Sequence, residues 1–154
     1  MDIKVSEQDF GERHIRLLNP SGDSFSATVK LVSRDWSQGR YRTECQITLT
    51  TQDYELKALG PDFFEAFCGI RDQLAQLHLV PFCYGASLRT LSTGMCRDMA
   101  LGLKIWRVLP PNSPEPMELV DLFDYGDDVE PTSLEAQLEF QREYFRNEKR
   151  SDKS

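Results

Sequence analysis

Tyr41-Arg42-Thr43-Glu44-Cys45-Gln46-Ile47-Thr48-Leu49 alternates without a break. Tyr41, Thr43, Cys45, Ile47 and Leu49 fall on one side, and Arg42, Glu44, Gln46 and Thr48 on the other. Successive side chains of a strand point to opposite faces, so this pattern predicts a β-strand with one buried and one wet face. Upstream, Phe25, Ala27, Val29 and Leu31 alternate with Ser26, Thr28 and Lys30 in the same way. Ser37-Gln38-Gly39 between the two runs reads as a turn. Before them, His14 to Leu18 is a short strand candidate, set off by Asn19-Pro20-Ser21-Gly22, where proline fixes one dihedral and glycine accepts positive φ. Three sequential strands with short turns make an antiparallel meander. Residues 1–12 are polar and aperiodic and read as a loosely held lead-in.

The period then changes. Gly60-Pro61-Asp62 opens a helix, with proline in its first turn and an acid near the positive end of its dipole. Phe63, Phe67, Ile70, Leu74 and Leu77 recur at spacings of four and three, and Phe64 widens the stripe. A helix of that pattern covers the apolar face of a sheet. His78 stands at its C-terminal end, where a cation suits the dipole.

Downstream, Val80–Tyr84 reads as a short strand and Gly85-Ala86-Ser87 as a close backbone approach. Ser92 or Thr93 caps a short helix from Gly94 to Leu101, which Gly102 ends in the left-handed conformation. Leu103–Leu109 is a further strand. Pro110–Pro116 is a surface loop. Met117–Phe123 docks again, as a strand or a helical turn, and Asp124–Asp128 turns. Thr132-Ser133-Leu134-Glu135 is a capping box ahead of a last helix, with Leu134, Leu138, Gln141 and Phe145 on one face. The expected fold is α+β: an antiparallel sheet of about five strands packed against one main helix, with a short helix and a C-terminal helix. Residues 1–146 form a single globular domain, and 147–154 a disordered charged tail. That fits 154 residues of ordinary globular composition, 40% hydrophobic and 28% charged.

The net charge of −7 is unevenly placed. Residues 1–107 hold 13 acids and 13 bases, and residues 142–154 three acids and five bases. Residues 108–141 hold nine acids and no base: Glu115, Glu118, Asp121, Asp124, Asp127, Asp128, Glu130, Glu135 and Glu139. Nucleic acid and anionic membranes need clustered Lys and Arg, so neither is an expected ligand. A basic protein is the partner this charge attracts. No run of 18 apolar residues occurs, and the first residues lack the basic and apolar parts of a secretory signal, which points to the cytoplasm.

No catalytic motif stands out. The chain has no GxSxG elbow, Walker A loop, GxGxxG or HExxH. Its four cysteines, Cys45, Cys68, Cys83 and Cys96, form no CxxC pair, and His14 and His78 are its only histidines. That inventory predicts buried free thiols and neither metal nor cofactor. The spacing of Asp121, Asp124, Asp127 and Asp128 fails the EF-hand pattern. Aromatic anchors beside complementary charge are the usual make-up of a protein-recognition surface. Trp106, Glu118, Asp121, Phe123, Asp124, Tyr125, Asp127 and Asp128 are accordingly the candidate partner-binding residues. Leu79–Leu109 reads as scaffold, and Glu115–Asp128 as the functional stretch.

One resemblance bears on this. Phe82-Cys83-Tyr84-Gly85-Ala86-Ser87, then Thr93-Gly94-Met95-Cys96-Arg97-Asp98-Met99-Ala100-Leu101-Gly102, then Val120-Asp121-Leu122-Phe123-Asp124, resembles a layout in small bacterial proteins. In that layout a helix with Ile-Arg, here Ile70-Arg71, precedes a Gly-Ala turn. Thr93 stands where the layout has serine. Such proteins resemble immunity partners of secreted polymorphic toxins, and the likeness spans about residues 60–125. It implies a cytoplasmic protein that neutralises a cognate toxin by binding it. A secretion chaperone or adaptor is the alternative within binding proteins. A small enzyme using Cys83, Cys96 and Arg97 is the alternative outside them.

Overall fold

The computed structural model describes residues 3–37 and 41–151. The fold is α+β. Five antiparallel strands form a curled sheet: β1 (Ile3–Leu18), β2 (Ser24–Ser37), β3 (Tyr41–Thr50), β4 (Glu55–Gly60) and β5 (Val80–Phe82). Their order is β4-β3-β2-β1-β5. Helix α1 (Phe63–Gln76) packs on this sheet. A second sheet of order β6-β7-β8 is built from β6 (Thr90–Leu91), β7 (Lys104–Val108) and β8 (Met117–Asp121). Helix α2 (Gly94–Asp98) and a 3-10 turn (Met99–Gly102) join β6 to β7, and α3 (Leu134–Ser151) ends the described chain.

The alternating runs lie where their period puts them. Ala27, Val29, Leu31, Cys45, Ile47 and Leu49 are buried on one face of the large sheet. Leu31 pairs with Ile47 and Val29 with Leu49 across the β2–β3 ladder, so like side chains stack in rows. Against them α1 buries Phe63, Phe64, Ala66, Phe67, Ile70 and Leu74. The same core cluster takes in Ile105 and Val120 of the second sheet, so both sheets share one interior.

Several expectations need correction. The strand expected at His14–Leu18 extends back to Ile3, so residues 3–12 are not a loose lead-in. Their side chains are nearly all exposed, and pairing with β2 through two register shifts holds them. β4 was not foreseen. Pro61 precedes the helix, and Asp62 is the N-cap, its carboxylate accepting the Glu65 N–H at 2.8 Å. Leu77 falls outside the buried stripe: it is the C-cap and 47% exposed. The short helix stops at Asp98, capped by the Thr93 hydroxyl, and Ala100, Leu101 and Gly102 follow with positive φ. Ser133, not Thr132, caps α3, its hydroxyl accepting the Ala136 N–H at 3.1 Å. α3 continues to Ser151, through residues 147–151 where a disordered tail was expected. The turn expected at Ser37–Gly39 and residues 152–154 lie outside the described residues.

A buried polar cluster ties α3 to the rest. Arg71, only 6% exposed, donates to the carbonyls of Gly85 and Thr132 and to Gln137 Oε1, at 3.1, 3.0 and 2.6 Å. Gln137 in turn donates to Gly85 O and Thr90 Oγ1. One turn on, the Gln141 side chain pairs with the Ser92 backbone in both directions, at 2.9 and 3.2 Å. The edge strand β6 is thereby covered by a helix. Among the described residues no helix is long and apolar enough to cross a membrane.

Candidate functional site

The segment that leaves β8 is folded into a pinned ridge. Asp121 ends the strand by accepting the Phe123 N–H on Oδ1, at 2.9 Å, and Arg13 on Oδ2, at 3.2 Å. Phe123 then drops into the core, edge-on to Phe67 with ring centroids 5.0 Å apart. The chain crosses the Tyr84–Ala86 turn, where Tyr84 N–H donates to Asp124 O at 2.8 Å and Gly85 N–H to Leu122 O at 2.7 Å. Glycine is required at 85 by this approach, since a Cβ there would lie 2.9 Å from Leu122 O and from Phe67. Gly126 likewise lies against Tyr84, where a Cβ would come within 2.5 Å of the hydroxyl oxygen. Beyond it, Glu130 N–H donates to Ser87 Oγ and Leu88 N–H to Glu130 O, closing the ridge at its far end.

Asp124–Asp128 thus stands between two concavities. On one side is a groove of about 610 Å³ walled by Leu88, Arg89, Leu109 and Pro110. At its polar end Tyr84 donates to Asp128 Oδ1 at 2.6 Å. Arg107 reaches Asp128 Oδ2 at 2.6 Å and Glu118 at 3.1 Å, and lies over the Tyr84 ring. Burial, then the bond to the Asp128 carboxylate, push the Tyr84 phenol up to about 12. Burial works to raise Asp128 as well, but its donors, Tyr84 and Arg107 among them, outweigh that and hold the carboxyl below its usual range. On the other side is a smaller hollow of about 330 Å³ formed by Arg16, Phe82, Tyr125, Gly126 and Asp127. Phe82 and Tyr125 lie 6.2 Å apart there.

The candidate residues therefore divide. Tyr125 is 62% exposed on the ridge crest, and Asp124 and Asp127 beside it are exposed, with no side-chain hydrogen bond or ion pair among the described residues. Glu118 and Asp128 both hold Arg107, so their charge is partly spent inside the molecule. Asp121 is 8% exposed and serves the strand end and Arg13. Phe123, at 2% exposure, is a core residue and is no anchor for a partner. Trp106 is half-buried in the second sheet, paired with Leu91 on one side and Leu119 on the other. Tyr84, Phe82 and Arg107, which fall in the stretch read as scaffold, and Arg16, read only as part of a short strand, belong to the site. Their only sequence signal is that each is polar or aromatic in a short strand or at its end.

The thiols of the enzymatic alternative lie inside. Cys83 is fully buried, and that burial pushes its pKa up to about 12, while Cys96 is 1% exposed. A nucleophilic cysteine needs an accessible thiolate. His78 is exposed just past α1, at φ 59°. Among the described residues no three of His, Cys, Asp or Glu are grouped to hold a metal ion. No protein-family model matches the chain, and no curated protein is similar enough to count as a relative.

Proposed function

We propose that this chain is a protein-binding inhibitor that recognises a basic partner through the Asp124–Asp128 ridge. The observation that carries the reading is the exposure of Tyr125 between unpaired Asp124 and Asp127 on backbone that is already fixed. A partner meeting this surface orders few groups on binding, which removes part of the usual cost of association. The two carboxylates steer a positive surface toward the ridge, and the ring supplies the apolar anchor. The resemblance over residues 60–125 implies that the partner is a cognate bacterial toxin, neutralised in the cytoplasm in the manner of an immunity protein.

Co-expression with a candidate toxic domain, chosen from any toxin-like reading frame that adjoins this chain's own, tests the reading. The wild-type chain restores growth and co-purifies with that domain. Tyr125→Ala weakens the complex at least about tenfold, the scale of an aromatic anchor. Asp124→Asn with Asp127→Asn slows association and flattens its salt dependence. Binding and rescue unchanged in both variants would overturn the assignment of the ridge.

A further inference from the structure

One flank of α3, beginning at the edge of the face that Gln141 ties to Ser92, carries two parallel stripes of the same spacing. Leu134, Leu138, Gln141 and Phe145 make one, and Glu135, Glu139, Arg142 and Arg146 the other. Both run at intervals of four, three and four residues, a sequence that reads the same in either direction. The charged stripe is antisymmetric about its middle: two acids in the first half, two bases in the second. A stripe with that pattern complements a copy of itself laid antiparallel.

The surface beside the helix is open. Two adjoining cavities, of about 810 and 480 Å³, share Leu138 and Arg142 and run along α3 past Phe145. The first is walled opposite the helix by Ala75, Leu79, Val80 and Pro81. Leu134, Leu138 and Phe145 are each only half-buried against their own domain. All four charged residues are exposed. Arg142 bonds Glu139 at 2.6 Å and Arg146 bonds Glu143 at 3.1 Å, both within the helix. Exposed pairs of that kind contribute little, so they exchange partners readily.

We infer that α3 pairs antiparallel with α3 of a second copy, forming a two-fold dimer along this groove. The two-fold passes between residues 140 and 141. Glu135 then faces Arg146 of the second copy, and Glu139 faces Arg142 of the second copy. The two Glu139–Arg142 pairs meet at the axis as four charges of alternating sign. By the same two-fold, Phe145 of the second copy comes level with residue 136, between Leu134 and Leu138, which line the cavity walled by Leu79 and Val80. The paired stretch, Glu135 to Arg146, is about 16 Å of helix. The contact is isologous, as a two-fold requires, and lies apart from the Asp124–Asp128 ridge.

The test is the mass of the full chain in solution, by sedimentation equilibrium across a concentration series. The wild type rises from one chain, 17.7 kDa, toward twice that mass. Glu135→Arg with Glu139→Arg makes the stripe wholly basic, and Arg142→Glu with Arg146→Glu makes it wholly acidic. Each double variant alone stays at one chain, and their equimolar mixture recovers the dimer. Phe145→Ala loses the dimer without any charge change, and circular dichroism confirms that each variant keeps its fold. A wild type that remains a single chain at about 300 μM, a concentration at which a contact of micromolar affinity is almost wholly paired, overturns the proposal. So do charge variants that still dimerise alone, variants whose mixture does not associate, or a Phe145→Ala chain that dimerises like the wild type.

Discussion

Arg71 has no carboxylate against it among the described residues; three oxygens of the backbone and Gln137 meet its guanidinium instead. Arg71→Met would remove the charge but leave Gly85 O, Thr132 O and Gln137 Oε1 with donors missing. The expected loss is about 2–4 kcal/mol in urea unfolding, the range for breaking a buried charged hydrogen-bond set. The sequence carries little warning of this, because neither Arg71 nor Gln137 belongs to the apolar stripe of its helix. Both are buried only because α1, α3 and the Tyr84–Ala86 turn converge. At Tyr84 the folded pKa lies above the usual phenol value near 10, so the stability linked to it is full below pH 10 and is lost as pH rises through about 12. Asp128 acts at the opposite end: its carboxyl is held low, so its contribution is lost as pH falls below about 4. Asp128 raises the phenol both by its hydrogen bond and by its charge. Asp128→Asn therefore lowers the alkaline midpoint of Tyr84, read as the difference in phenolate absorbance between that variant and Tyr84→Phe with Asp128→Asn.

At the scale of elements, period decided what was legible. β3 and the middle of β2 were read correctly because one face of each is buried under α1, and burial writes a period-two pattern into the sequence. The first half of β1 has no such face. Backbone pairing with β2 makes it a strand, and the register shifts between Lys4 and Ser6 and between Asp9 and Glu12 erase what alternation there is. β4 has Leu56 and Ala58 facing in, but Leu59, 57% exposed, breaks the pattern. At α3 the Thr-x-x-Glu spacing pointed to Thr132 as the cap, yet the Thr132 carbonyl is held by Arg71, and Ser133 takes the capping position. Ser133→Ala should cost about 1 kcal/mol in thermal or urea unfolding. Thr132→Ala should cost clearly less, because among the described residues no hydrogen bond of the helix end depends on its hydroxyl. Equal effects of the two substitutions would contradict this cap.

Over the whole molecule, the core cluster runs continuously from Ile15 and Leu31 of the large sheet through Phe67 to Ile105 and Val120 of the small one. Two sheets that share an interior unfold together, so calorimetry should give a single transition with equal calorimetric and van't Hoff enthalpies. Two resolved transitions would mean that the sheets are separate units. The sequence by itself determined the fold class, the main helix and its apolar stripe, the close approach at Gly85 and the concentration of acid in residues 108–141. These are local matters of period, dihedral preference and composition, and neighbours along the chain settle them. Only the tertiary structure decided which acids remain available. Arg13 takes Asp121 from 108 residues away. Arg107 takes Glu118 and Asp128, and Phe67 takes Phe123 into the core. Such pairings depend on where distant strands meet, which no local pattern encodes, and they narrow the candidate surface to Asp124, Tyr125 and Asp127.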